Sequence, residues 1–208
     1  MKYTDAVREY CNKHKNEIIE VAKVKESQFA DIPYKTLLRI MNRLEDEQVI
    51  VGVSKGIYHV GKEVPTEAMI ISQFLDKGKG MIVGYALFNK IGLTEHQDNK
   101  IEIYTNAIVA NKHNIGRISL NRVDLKFDSA TVDLVSLLEI IEAGTSIKKC
   151  DARMYEQVKL LLSQNYSDKS FGQVVKRIKY KYSTILQLDN LLKRMGIPNR
   201  CLEIYVAS

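Results

Sequence analysis

The chain has 208 residues, 45% of them hydrophobic and 27% charged, which is ordinary for a protein with a packed core and suits one large domain or a small one joined to a medium one. A net charge of +6 permits an acidic partner without demanding one. Cys11, Cys150 and Cys201 are widely spaced and never form C-x-x-C, which argues against a disulfide framework and a structural zinc site. The opening MKYTDAVREYCNK carries acidic residues where a signal peptide needs its apolar core, and no apolar run approaches a membrane span, so a cytoplasmic, reducing location is expected.

Residues 4–14 set Ala6, Val7, Tyr10, Cys11 and His14 at helical spacing, so a first helix buries that face and leaves Arg8, Glu9 and Lys13 wet. Residues 17–30 fit either a short strand entering a helix or a helix throughout, with a second short helix within 21–30. Pro33 fits the first turn of the next helix, where its missing N–H costs nothing, and Asp31 stands ahead of it as a cap. That helix runs to Gln48. Leu37, Ile40, Met41 and Leu44 repeat on its buried face, and Tyr34, Lys35, Thr36, Arg39, Asn42 and Arg43 fall largely on the others.

Val49, Val51 and Val53 then alternate, Gly56 permits a turn, and Ile57-Tyr58-His59-Val60 returns as a partner strand with Lys55 at the tip. A helix followed at once by a small hairpin is the recognition element of a winged helix-turn-helix. Its exposed residues suit a major groove: Arg bonds two acceptors on guanine, Asn pairs with adenine, and Lys or Tyr holds phosphate. The same residue types also coat ordinary surface helices, and a turn lysine is often merely solvated.

The Gly- and Pro-containing GKEVPT at 61–66 marks a domain boundary, giving residues 1–61 and 66–208 as two domains. A helical pattern follows in EAMIISQFLDKG. The glycines at 78, 80, 84 and 92 fail the G-x-G-x-x-G spacing because position 83 is Val, which excludes a dinucleotide site. Gly78 and Gly80 are expected to end one helix and Gly92 to cap the next, with Tyr85, Leu87, Phe88 and Ile91 packing. Residues 100–109 and 115–127 alternate as strands. Helical patterns follow at 131–142, 151–164, 170–181 and 184–195, and CLEIYVA reads as a closing strand. The expected fold class is α+β: an N-terminal winged helix-turn-helix domain, then a larger α/β domain with a small sheet and several helices.

Signals for catalysis are sparse. His14, His59, His96 and His113 lack zinc-ligand spacing, and no G-x-S-x-G elbow or P-loop occurs, so no catalytic residue, metal or cofactor is assigned. Asp124-Leu125-Lys126, with Asp98 or Glu102 as a second carboxylate, fits a metal-dependent nuclease strand and equally the wet face of an ordinary strand. Charge is uneven: residues 1–60 sum to +1 and residues 148–200 to +8. Within the latter, Lys176, Arg177, Lys179 and Lys181 alternate with tyrosines on an expected helix and are candidates for phosphate or partner contacts, with Val174, Val175, Ile178 and Tyr182 as its core face.

The order of parts resembles the AbiEi family of antitoxins from type IV toxin–antitoxin systems. The resemblance rests on TLLRIMNRLEDEQVIVGVSKGIYHVG and on IVGYALFNKIGLTEHQDNKIEIYTNA, where a helix ending in Gly-Leu-Thr precedes a strand ending in Thr-Asn, and it covers residues 30–110 most closely. It implies a DNA-binding autorepressor acting in phage defence, bound to inverted repeats in its own promoter, with a dimer on DNA. It also implies a C-terminal domain that counters a nucleotidyltransferase-like toxin without a stable complex. The chain departs from the family at Glu45-Asp46-Glu47, where many relatives carry basic residues and glycine. With that acidic run and a near-neutral sum, the N-terminal domain is expected to need the basic C-terminal region, or a second protomer, to hold DNA tightly. The alternatives are a module neutralising a partner through its basic C-terminal helices, and the nuclease.

Overall fold

The computed structural model describes residues 3–208 and is α+β, with ten α-helices and seven strands among those residues. α1 (Tyr3–Lys13) buries Val7 and Cys11 as its periodicity requires. β1 (Ile18–Glu20) then enters α2 (Val21–Ser27), the first of the two alternatives for that segment. α3 (Tyr34–Asp46) begins one residue after Pro33, whose carbonyl accepts from the Thr36 and Leu37 amides at 2.9 and 3.0 Å. No side chain among the described residues caps this helix, so the expected Asp31 cap is not made. The helix also ends before Gln48, because Gln48 turns left-handed at φ 57 and the chain doubles back, with the Val49 amide bonded to the Leu44 carbonyl at 2.9 Å.

β2 (Ile50–Ser54) and β3 (Ile57–Val60) pair antiparallel around Lys55-Gly56, and β1 joins β3 on its other edge to give the order β1-β3-β2. After residues 61–66, which contain no helix or strand, α4 (Glu67–Leu75) is capped by the Thr66 hydroxyl.

Gly80 does not end a helix as expected; it opens β4 (Gly80–Val83). A Cβ there would lie 2.4 Å from the Tyr104 carbonyl oxygen and 2.5 Å from that of Phe74, so the glycine marks a close backbone approach. α5 (Gly84–Lys90), β5 (Ile101–Thr105), β6 (Lys112–Ile115) and β7 (Ile118–Arg122) follow. The single strand expected at 115–127 is therefore the turn and second arm of a hairpin, with Gly116 at φ 55 in the turn. This second sheet has the order β4-β5-β7-β6, with β5 and β7 parallel.

α6 (Ser129–Ala143), α7 (Ala152–Ser163), α8 (Asp168–Val175), α9 (Tyr182–Arg194) and α10 (Cys201–Val206) complete the chain. Two expectations are corrected here. The helix drawn over 170–181 stops at Val175, so Lys176 to Lys181 lie in a turn and an extended link. The closing CLEIYVA is a helix: Cys201 is buried and the Tyr205 hydroxyl donates to the Tyr180 carbonyl, contacts that a helix offers from one face.

The layers explain what positions the candidate site. The small sheet is covered on both faces: Ile19, Ile50, Tyr58 and Val60 pack beneath α1–α3, whereas Ile57, with Ile18 and Val53, packs against Ile70 and Phe74 of α4 and Ile103, Ile118 and Leu120 of the second sheet. The far face of that sheet, with Met81 and Val83, joins α6 and α8–α10. Residues on either side of the 61–66 link therefore share a core. The Val109 amide donates to Glu20 Oε2 at 2.7 Å and Lys23 donates to the Asn106 carbonyl at 2.9 Å across the same junction. No helix among the described residues is long and apolar enough to cross a membrane.

Candidate nucleic-acid interface

Burial of Leu37, Ile40, Met41 and Leu44 fixes the rotation of α3, and the 3.6-residue period then sets Tyr34, Lys35, Arg39, Asn42 and Arg43 outward, with Thr36 half-buried. Lys55 is exposed at the β2–β3 turn. The Tyr34 hydroxyl lies 3.9 Å from where a Cβ on Gly56 would stand, so the start of α3 and this turn adjoin. The buried Tyr58 donates its hydroxyl to Asn42 Oδ1 at 3.2 Å, which ties the Asn42 carboxamide to the core and leaves one oxygen lone pair and the amide hydrogens for a ligand.

The acidic run at the end of α3 is mostly engaged within the fold. Glu45 Oε1 accepts from the Gly52 amide at 2.8 Å, in space that a Cβ on Gly52 would fill at 2.6 Å. Glu47 pairs with Arg8. Glu9 pairs with Lys13 at 2.8 Å. Lys35, Arg39, Arg43 and Lys55 form no ion pair among the described residues. The near-neutral sum over residues 1–60 thus hides a separation, with several carboxylates bonded internally and cations left open on α3.

The C-terminal candidates are arranged differently from the sequence expectation. Lys176, Arg177 and Lys179 are exposed on the link between α8 and α9, and Lys181 pairs with Glu142 at 3.0 Å. The tyrosines exchange roles: Tyr182, expected in the core, is 52% exposed, whereas Tyr180 is buried with Val174, Val175 and Ile178. The break after Val175 resets the helical phase, and the interleaved stack of cations and rings does not form.

The strand register sets Glu102 of the suggested nuclease residues opposite Ser119, not opposite Asp124. Asp124 accepts from Arg122 Nε and Nη2 at 3.0 and 3.1 Å, and Glu102 pairs with Lys100. No group of three or more His, Cys, Asp or Glu side chains among the described residues is placed to hold a metal ion. His59 is buried with Nδ1 at 3.0 Å from the Glu63 carbonyl, and His113 Nε2 lies 3.0 Å from Ser54 Oγ.

One cluster has no sequence signal, because its members come from separate elements. The Tyr104 and Tyr180 hydroxyls both donate to Glu139 Oε1, at 3.2 and 3.0 Å. Burial pushes the Glu139 carboxyl above the ordinary range, against the opposing effect of these two hydrogen bonds. The polar residues of the Gly-Leu-Thr and Thr-Asn blocks are structural: Thr94 donates to the Lys148 carbonyl at 2.5 Å, Thr105 to that of Lys79 at 2.9 Å, and Asn106 to that of Leu125 at 2.6 Å.

No family model matches the chain, and no curated protein matches it. Among solved structures, it is similar to the crystal structure of the RV2827C protein from Mycobacterium tuberculosis, at a TM-score of 0.38 and 11% identity, over 99% of this chain and 81% of that one. A likeness this loose fixes neither family nor function.

Proposed function

We propose that the chain is a DNA-binding transcriptional regulator in which residues 1–61 form a winged helix-turn-helix domain. α3 enters a major groove, Arg39 and Asn42 meet base edges, Lys35 and Arg43 meet phosphate, and Lys55 holds the flanking backbone. The observation that carries this reading is the outer face of α3: a row of exposed groups with open cations, fixed by a buried apolar stripe and adjoining a hairpin turn, in the element order α1-β1-α2-α3-β2-β3. The resemblance to AbiEi antitoxins extends the proposal to an autorepressor, dimeric on inverted repeats, whose residues 66–208 counter a nucleotidyltransferase-like toxin.

The test is a gel shift of the full chain with the DNA just upstream of its own gene, against a shuffled duplex of equal length. The upstream duplex is expected to bind more tightly. Its affinity is expected to fall by roughly 10³–10⁵ between 50 and 200 mM salt if about six to ten phosphates are contacted. Equal affinity for the two duplexes, or none for either, overturns the reading.

A second reading is favoured by the exposed Lys176, Arg177 and Lys179, which form no ion pair among the described residues. In it the link between α8 and α9 is the neutralising surface. Charge reversal at these three residues is then expected to abolish protection from the toxin while leaving the gel shift intact; loss of both together points instead to a DNA role for this link.

A further inference from the structure

The second sheet turns two different faces to the rest of the chain. Ile103, Ile115, Ile118 and Leu120 point into the core shared with the hairpin, so the residues that alternate with them point the other way. The registers set these in two rows across β5, β7 and β6, Glu102–Ser119–Asn114 and Tyr104–Asn121–Lys112. Toward β4 this far face is closed: Met81 and Val83 join the helical core, the Tyr104 hydroxyl turns to Glu139, and a Cβ on Gly84 would stand 3.2 Å from Glu102 Oε2. Toward β6 it opens, with Lys112 and Asn114 exposed and Asn121 half-buried. Lys112 forms no ion pair among the described residues, whereas Glu102 is paired with Lys100. Between the closed and open halves sits Ser119, 1% exposed, whose hydroxyl has no hydrogen-bond partner among the described residues. A buried hydroxyl without a partner is costly, and this one is surrounded by side chains that both donate and accept.

We infer that this face binds a small sugar phosphate, with the phosphate on Lys112 and Asn114 and the sugar hydroxyls on Ser119 and Asn121. The face lies opposite the one that meets the hairpin, so the inference stands apart from the DNA reading. Charge selects the anion: Lys100 offsets Glu102, and Lys112 is left as a flexible point charge at the open end. The neighbours select the hydroxyls. An inorganic anion only accepts hydrogen bonds, whereas the carboxamide oxygens of Asn114 and Asn121 and the Ser119 oxygen also require donors, which a sugar supplies beside its phosphate. Spacing agrees with both parts being bound at once. Lys112 and Ser119 are diagonal neighbours on β6 and β7, roughly 7–8 Å apart at their backbones, which suits a phosphate and a hydroxyl at opposite ends of one pentose phosphate.

The experiment is isothermal titration calorimetry of the full chain with ribose 5-phosphate, ribose and inorganic phosphate, comparing the native protein with Ser119→Ala and Lys112→Gln. The native chain is expected to bind ribose 5-phosphate more tightly than either of its parts. Each variant is expected to weaken that binding by roughly tenfold, the loss of one hydrogen bond to a ligand in a partly desolvated site. Ser119→Ala removes a buried hydroxyl that has no partner within the fold, so it is expected to melt at or above the native temperature, which separates lost binding from lost folding. No binding by the native chain, or binding unchanged in either variant, overturns the inference. Equal affinity for ribose 5-phosphate and inorganic phosphate overturns it too, because Lys112 would then be a simple ion contact. A Ser119→Ala chain that melts below the native one shows the hydroxyl to be engaged within the fold, with the same consequence. Tighter binding of a short single-stranded RNA than of ribose 5-phosphate, lost in both variants, assigns the face to a polymer and overturns the small-ligand inference.

Discussion

Glu139 shows how burial and hydrogen bonding compete at one side chain. Its Oε1 receives two phenol hydroxyls, which favour the carboxylate, yet burial outweighs them and holds its pKa above the ordinary value. A carboxyl raised in the folded state binds its proton more tightly there than in the unfolded chain. Its contribution is therefore full below the unfolded pKa and is lost as pH rises through the folded one. Glu139→Gln keeps the oxygen acceptor and removes the charge. Its stability relative to the native chain is expected to increase from pH 4 to pH 7 in urea unfolding, and a difference independent of pH would contradict this account. Nothing in the sequence marks this residue, because Tyr104 and Tyr180 reach it from β5 and from the link after α8. The outward residues of α3 were legible for the opposite reason: a helix with a buried stripe determines its own exposed face locally. The Arg8–Glu47 pair and the Glu45–Gly52 bond were not, so a charge sum over residues 1–60 understated the cations open on α3.

At the scale of elements, helix ends carry the most direct tests. Gln48 occupies a left-handed position that costs an L-residue about 1–2 kcal/mol, and glycine gives back part of that gain through its freedom in the unfolded chain. Gln48→Gly is expected to stabilise the protein by about 0.5–1 kcal/mol in urea unfolding without altering DNA binding. Asp128 caps α6 by accepting from the Thr131 amide at 3.0 Å, a bond that holds its carboxyl below the ordinary range. Asp128→Ala is expected to cost about 1 kcal/mol at neutral pH. That difference should shrink as pH falls through the lowered pKa, where the native cap is protonated. The failures of the sequence reading also sit at this scale. Periodicity located α1, α3, α6, α7 and α9 because each carries its own apolar stripe. It missed β4, whose glycine answers to backbone from α4 and β5, and it drew a strand for α10, whose direction is set by packing on α8 and α9.

For the whole molecule, the decisive feature is that the small sheet is buried on both sides. Hydrophobic alternation placed the hairpin but could not show that its second face is covered by α4 and the larger sheet, since those contacts span residues far apart in sequence. Ile57, fully buried in that shared core, is expected to cost about 2–5 kcal/mol on change to alanine and to lower a single thermal transition for the whole chain. Two separate transitions, with only one displaced, would show that the parts fold independently. A truncated chain of residues 1–61 leaves Ile18, Val53 and Ile57 uncovered and is expected not to fold stably by itself.

This cohesion fixes α3 and the hairpin turn to the rest of the chain, and the role proposed for α3 is the claim on which the rest depends. The most direct test is the ratio of affinities for the upstream and shuffled duplexes, measured by anisotropy for the native chain and for Arg39→Ala. If α3 reads bases, the ratio should fall by roughly 5- to 150-fold, the equivalent of about 1–3 kcal/mol for one bidentate contact. If both duplexes weaken equally and the ratio holds, Arg39 contacts only the backbone, and the claim that α3 reads sequence through it is wrong.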